Sequence, residues 1–307
     1  MISNNLIQKS YYNWWKNINK TILLLIVILF GLGLFFSLVS TSLIASDKLD
    51  TNSYYFFIKH FIFIVIGVFF IIYFSSLNHN DLIKVSNFLF LIFLFFLILV
   101  PFFGIEVKGS RRWIDISLLP RFQPIELLKP FLVIIIANVL SYENNKNIYY
   151  KYFLSFLVIL PVILLLVTQP DIGQSLLTFL VWLSMIFISG INLIIFIIFF
   201  GLVIFSLIFL IYMFPEKFGY ILIRLKSFFD PSSGTNYQSE KASEAIINGG
   251  FFGKGIGEGT LKNRVPEAHT DYIVSVISEE FGIIIVIAII LIFIFLTFQV
   301  IKKIALE

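Results

Sequence analysis

Residues Ile172 to Pro215 read IGQSLLTFLVWLSMIFISGINLIIFIIFFGLVIFSLIFLIYMFP, 44 positions without an Asp, Glu, Lys or Arg. A bilayer core of about 30 Å is crossed by roughly 20 apolar residues in a helix, so this block is too long for one span and fits two. Placing the break at SGIN, Ser189–Asn192, gives spans near 172–189 and 193–213. Working outward, further runs almost free of charge lie at about 21–44, 61–77, 85–105, 125–141, 152–168 and 281–301. The total is eight, and an even number leaves both termini on one side. Lys9, Lys16 and Lys20 precede the first span, Asp47, Lys48 and Asp50 follow it, and Lys302 and Lys303 follow the last. The positive-inside rule then assigns both termini, including the tail 1–20, to the cytoplasm. Against that rule, 14 of the 22 Lys and Arg fall on the opposite side, many of them in two connections, 104–124 and 214–270.

The composition agrees with an all-α polytopic membrane protein. Of 307 residues, 59% are hydrophobic, 18% aromatic and only 13% charged, about half the charge of a soluble domain. With no cysteine, disulfides and thiolate sites are excluded. His60, His79 and His269 are far apart and no HExxH-type spacing occurs, which argues against a zinc enzyme. A net charge of +4 gives no case for nucleic-acid binding. The first apolar run, from about Thr21, is longer than the h-region of a signal peptide and lacks a small-residue cleavage site.

The two charge-rich connections hold the candidate chemistry. GIEVKGSRRWIDISLLPRFQPIELLKP, Gly104–Pro130, crowds Lys108, Arg111, Arg112 and Arg121 around Trp113. Two readings stand: an interfacial Trp/Arg anchor, or an anion site whose Arg forks and Lys charge suit phosphate or pyrophosphate oxygens. Glu126 and Lys129, three apart at the head of the next span, share a helix face, as a structural ion pair or as a polar group turned to the bundle interior. In QPDIG, Gln169–Gly173, Asp171 must lie near the lip of the bundle; a cap on the following helix is its simplest role.

The second connection carries YQSEKASEAIINGG, which reads as a short amphipathic helix closed by glycine. Six of the 17 glycines then follow between Gly249 and Gly259. GGFFGKG is not a phosphate loop: Asn248 and Gly255 stand where Gly and Ser/Thr are required, and no strand precedes it. A sharply folded loop close to the membrane is the better reading. It leads to PEAHTDYIVSVISEEFG, Pro266–Gly282, which runs into the last span. A helix starting near Asp271 would align Asp271, Ser275, Ser278 and Glu279 in one polar stripe. Asp271 is then an N-cap or, facing a half-buried cleft, a general base; nearby cations would stabilise a phosphate leaving group.

KGSRRWI (108–114), FQPIELLK (122–129), QPDIGQSLL (169–177), YQ…A…INGGFFGKGIGEGTLK (237–262) and PEAHTDYIVSVISEEFG (266–282) occur in this order. Together they resemble the signature blocks of the SEDS family, the FtsW and RodA cell-wall polymerases, and GxGEGxxK with PEAHTD looks closer to FtsW. The resemblance implies a single SEDS-type membrane domain over 1–307. It implies a peptidoglycan glycosyltransferase that polymerises lipid II at the outer face of the cytoplasmic (inner) membrane, at the division septum. Asp271 falls on the family's essential aspartate, with Tyr272 in place of Phe. The basic-tryptophan block falls on Lys108, Arg111, Arg112 and Trp113; the QPSE glutamate and following lysine fall on Glu126 and Lys129, with Ile125 in place of Ser. Gln123, Asp171, Lys254, Lys262, His269 and Glu280 complete the implied substrate contacts. The reaction admits a divalent cation, Mg or Mn, at the pyrophosphate; no other cofactor is implied. Implied partners are a class B penicillin-binding protein acting as transpeptidase, other divisome membrane proteins and membrane lipids. A lipid II flippase and a non-catalytic divisome scaffold are the alternatives. Family members usually have ten spans, with a block resembling LPFISYGGSS before the last, so by resemblance this chain lacks two helices.

Overall fold

The computed structural model describes residues 12, 14–41, 54–107, 110–116, 119–142, 147–216, 219, 222–223, 226, 237–261, 264–265, 268 and 271–306. Lys108, Lys262 and His269 lie outside the described residues. The chain forms two compact units, one of Met1–Ser76 with Leu222–Glu307 and one of Leu77–Ile221.

In the first unit, α1 (Lys20–Phe36) begins at Asn19, whose side-chain oxygen accepts from the N–H groups of Thr21 and Ile22, and it passes into a π-helical turn, Ser37–Thr41. Then comes α2 (Tyr55–Ser76). In the second unit, α3 (His79–Phe103) leads into strands β1 (Ile105–Val107), β2 (Ser110–Ile116) and β3 (Leu119–Phe122). Helices α4 (Pro124–Ser141), α5 (Ile148–Thr168), α6 (Ile172–Ile188) and α7 (Leu193–Met213) follow. The first unit then resumes with α8 (Tyr237–Gly249), α9 (Ile273–Phe281) and α10 (Ile283–Leu306).

Among the described residues, seven helices are long and apolar enough to cross a membrane, and α6 is a shorter apolar helix. Together they are the eight runs read from the sequence, separated where expected at Ser189–Asn192. The ends differ. Helix α2 starts six residues before the expected 61 and takes in Lys59 and His60, and α3 starts six before 85 and takes in Asp81 and Lys84. A charged or polar side chain at a helix end leaves the backbone hydrogen bonds of that turn intact, so these helices run beyond the stretch that charge delimits in the sequence.

The second unit is closed by side chains from four helices. Leu97 and Val100 of α3, Leu128, Leu132 and Ile136 of α4, and Ile159, Val162 and Leu166 of α5 are buried. On α6 the buried face runs Ser175, Thr178, Phe179, Trp182, Leu183 and Ile186, the spacing of one helical stripe. Two polar ties bind this core: Trp182 Nε1 donates to Ser155 Oγ (3.0 Å), and Gln169 Nε2 donates to the Leu97 carbonyl (3.1 Å). The connection 104–124, read as a loop, is a three-stranded antiparallel sheet in the order β1-β2-β3. It packs through buried Ile114 and by Phe122 edge-on to Phe96 (5.7 Å).

In the first unit, Phe36, Ile277 and Val286 form a buried cluster with Leu32, Ile273 and Phe281 around it, joining α1, α9 and α10. A second cluster, Ala242, Ala245, Val265, Ala268 and Val276, seats α8 on α9. The small alanines let the two helices approach closely.

Candidate functional site

The second unit places its polar groups where α4 and α6 begin. Alternation along a strand sends neighbouring side chains to opposite faces, so Arg111 and Arg112 diverge. Arg111 pairs across the sheet with Glu106 (3.7 Å), in the register that sets Glu106 opposite Arg111. Arg112 turns inward: Nη2 donates to the Pro170 carbonyl (2.8 Å), and Nε lies 3.5 Å from Asp171 Oδ2. Trp113 is half-buried, and Arg121 pairs with Asp115 (2.8 Å). The strand geometry thus divides the basic cluster read from the sequence.

Asp171 is buried at the N-cap of α6, where its side chain accepts from the Gln174 N–H (3.5 Å). Burial pushes its carboxyl above the ordinary value, opposed by the Arg112 guanidinium beside it. Across from it Lys129 Nζ meets Glu126 Oε2 at 2.7 Å, the shared helix face expected from their spacing. Gln174 closes this pair into a ring: its Nε2 donates to Glu126 Oε1 (2.6 Å), and its Oε1 accepts from Lys129 Nζ (3.1 Å). Sequence reading passed over Gln174. The signal was present in the D-x-x-Q spacing from Asp171, which resembles a capping box, but here the amide turns to α4 instead of back to the cap. Gln123 is the residue before α4, its carbonyl accepting from the Glu126 N–H (3.1 Å).

The first unit places Asp271 two residues ahead of α9, exposed to solvent. Among the described residues none hydrogen-bonds to its carboxylate or pairs with it. The expected polar stripe is interrupted here. The helix starts at Ile273, Ser275 Oγ donates to the Tyr272 carbonyl (2.7 Å), and Ser275, Ser278 and Glu279 are buried while Asp271 is not. Nor does α9 run straight into the last span: at Gly282, with φ 84°, the chain breaks and α10 begins.

The glycine loop after α8 fills that break. The N–H groups of Lys254 and Gly255 donate to the carbonyls of Glu279 (2.9 Å) and Glu280 (3.0 Å), while Ile283 N–H donates to the Gly250 carbonyl (3.0 Å). A helix end otherwise leaves such groups without partners. The Glu279 carboxylate, fully buried, accepts from Asn248 Nδ2 (3.0 Å) and the Leu261 N–H (2.9 Å). Glu280, buried too, accepts from the Gly257 N–H (3.3 Å). Close approach demands glycine: a Cβ on Gly253, at φ 79°, would run into the Glu280 carbonyl. The N–H groups that a phosphate loop would turn to its ligand are thus engaged by α9. The Lys254 side chain is exposed. Among the described residues no group of three or more His, Asp or Glu could hold a metal ion.

The fold and these sites define a polytopic membrane protein with polar groups gathered at the ends of its spans. A family model described as "Cell cycle protein" (FtsW/RodA/SpoVE) matches residues 20–306, and the chain belongs to that family. It is 29% identical over 308 residues to the "Probable peptidoglycan glycosyltransferase FtsW" of Haemophilus influenzae, covering 96% of this chain and 77% of that one. With the protein of the same name from Trichlorobacter lovleyi it shares 39% over 198 residues, 62% of this chain and 50% of the relative. The Escherichia coli O157:H7 relative shares 36% over 202 residues, 64% and 48%. Against those last two the matched region spans about half of the relative's length. The fold matches a chain solved in work on structural coordination of polymerization and crosslinking by a peptidoglycan synthase complex, with TM-score 0.69, 22% identity, and 92% and 77% coverage. It also matches the rod shape determining protein RodA of Thermus thermophilus, with TM-score 0.58, 20% identity, and 93% and 74% coverage.

Proposed function

We propose that this protein is a peptidoglycan glycosyltransferase that polymerises lipid II, with Asp271 as its base. One observation carries the reading. Glu126, Asp171, Glu279 and Glu280 are all held by hydrogen bonds or ion pairs, whereas the Asp271 carboxylate is exposed and open among the described residues. A general base needs a lone pair that a substrate hydroxyl can reach.

Asp271 takes the proton from the 4-hydroxyl of the acceptor sugar as that oxygen attacks the anomeric carbon of the donor. The bond from that carbon to the pyrophosphate breaks, undecaprenyl pyrophosphate leaves with the electron pair, and the anomeric configuration inverts. Lys108, Arg111 and Arg112 stabilise the charge gathering on the leaving group; Gln123, Glu126, Lys129, Lys254, Lys262 and His269 contact the substrate. The names of the FtsW relatives support the reaction and the division subtype, and the likeness to a chain of a peptidoglycan synthase complex supports a class B penicillin-binding protein as partner. The Lys9/Lys16/Lys20 and Lys302/Lys303 flanks support an inner-membrane orientation with both ends in the cytoplasm.

The test is polymerisation of purified lipid II by the solubilised protein with its cognate class B partner. Long glycan strands from the wild type and none from a folded Asp271→Asn variant are expected. Equal product from both would remove Asp271 as the base. Passage of labelled lipid II across vesicles with no polymer formed would replace the polymerase by a flippase.

A further inference from the structure

The loop Gly250–Gly257 turns three large apolar side chains outward: Phe251 is 73% exposed, Phe252 84% and Ile256 61%. In water this would be an unusual waste of apolar surface. The depth of the loop follows from two observations taken together. The first is its hydrogen bonding to the start of a span: the Gly250 carbonyl accepts from the Ile283 N–H (3.0 Å) and the Phe251 carbonyl from Ile284 (3.5 Å). Gly282 adds to this contact, since a Cβ there would strike the Phe251 carbonyl. The second is the length of that span. From Ile283 to the residue before Lys302 and Lys303 the chain has no charge. At about 1.5 Å per residue that stretch covers about 28 Å, close to a hydrocarbon core of about 30 Å. With the lysine pair at one edge, Ile283 stands at the other, and the loop bonded to it stands there too.

We infer that Gly250–Gly257 is a membrane-seated loop, with Phe251, Phe252 and Ile256 entering the lipid leaflet beside the first turn of α10. The occupant of this surface is bilayer lipid, because the loop is bonded to the first turn of a helix long and apolar enough to cross a membrane, whose Ile284, Ile287 and Leu291 are themselves exposed. Aromatic rings suit the interface between headgroup and hydrocarbon. Much of the loop's backbone fits this depth: the N–H groups of Lys254, Gly255 and Gly257 are satisfied on Glu279 and Glu280, and those of Gly250 and Gly253 on the Ile247 and Gly249 carbonyls. The inference stands apart from the glycosyltransferase reading.

The chain has no cysteine, so one introduced thiol can be labelled alone. Spin labels at Phe252→Cys and Ile256→Cys would be read in the full chain, reconstituted in vesicles of phosphatidylethanolamine and phosphatidylglycerol. Leu291→Cys on α10 serves as the lipid reference and Glu240→Cys on α8 as the water reference. Both loop labels are expected to collide with dissolved oxygen as often as the Leu291 label and to be shielded several-fold from a water-soluble nickel chelate. Nickel accessibility at both positions equal to that of the Glu240 label would overturn the inference. Both loop side chains are exposed, so neither replacement removes packing, and the two positions report independently.

Discussion

In the Leu77–Ile221 unit the acidic groups at the helix ends are met mainly by side chains: Glu126 by Lys129 and Gln174, and Asp171 by Arg112 beside the Gln174 N–H that it caps. In the other unit Glu279 and Glu280 take backbone N–H groups, from Leu261 and from Gly257 of the glycine loop, and Glu279 also takes the Asn248 amide. The difference bears on what each region can do. The Lys129–Glu126 pair is part exposed and exchanges partners at little cost, so Lys129 can turn to another anion, whereas Arg112 is held because its departure would strand the buried Asp171. Backbone donors cannot turn without undoing the loop, so α9 is a fixed support. Asp271 is carried at the start of that support.

The largest effect expected is on chemistry. Asp271→Asn lowers lipid II polymerisation at least about 100-fold, the scale of a lost general base, with no change in melting temperature because the side chain is exposed. A matching loss of melting temperature would show that Asp271 belongs to the support instead.

Next is Gly253→Ala. The new Cβ meets the Glu280 carbonyl at a backbone φ of 79°, so close contact and strain act together. A destabilisation of about 3 kcal/mol is expected, read as a lower melting temperature in detergent. An unchanged melting temperature would mean that the loop does not cap α9.

The comparison itself is sharpened by a matched pair. Glu279→Ala empties a fully buried position and leaves the half-buried Asn248 amide and the Leu261 N–H without their acceptor, and should cost about 2 kcal/mol. Glu126→Ala removes a partner from a pair whose side chains are 47% and 25% exposed, and should cost no more than about 1 kcal/mol. Equal losses in thermal unfolding would erase the distinction between the two regions.

The smallest effect is a slope with pH. Burial raises the Asp171 pKa from 3.8, so the folded protein holds this proton more tightly than the unfolded chain. The stability this proton confers is fully present below 3.8 and is lost as pH rises through the raised folded value. Melting curves of the wild type should therefore fall with pH across that window more steeply than those of Asp171→Asn. Parallel curves would show that Arg112 fully offsets the cost of burial.

Much of the fold was legible because hydrocarbon imposes one simple rule on composition: a span must be apolar for roughly 20 residues. The uncharged 172–215 block and its division at Ser189–Asn192 followed from that rule, as did the amphipathic α8 closed at Gly250. The Glu126/Lys129 contact and the Asp171 cap were legible too, since both are local and helix periodicity fixes them. Strand pairing in 104–124 was not, because short strands in a basic, proline-bearing connection lack a clear alternation of apolar residues.

The sequence by itself determined a polytopic helical membrane protein of the FtsW/RodA/SpoVE family, since span length, charge placement and ordered motifs are properties of the chain alone. Only the tertiary structure decided which polar groups are occupied. It sent Arg111 and Arg112 to different partners, put Gln174 between Glu126 and Lys129, broke α9 from α10 at Gly282, and buried Glu279 and Glu280 under the glycine loop. The physical reason is that satisfying a buried donor or acceptor depends on partners far along the chain: 72 residues separate Gln169 from Leu97, and 31 separate Asn248 from the buried Glu279.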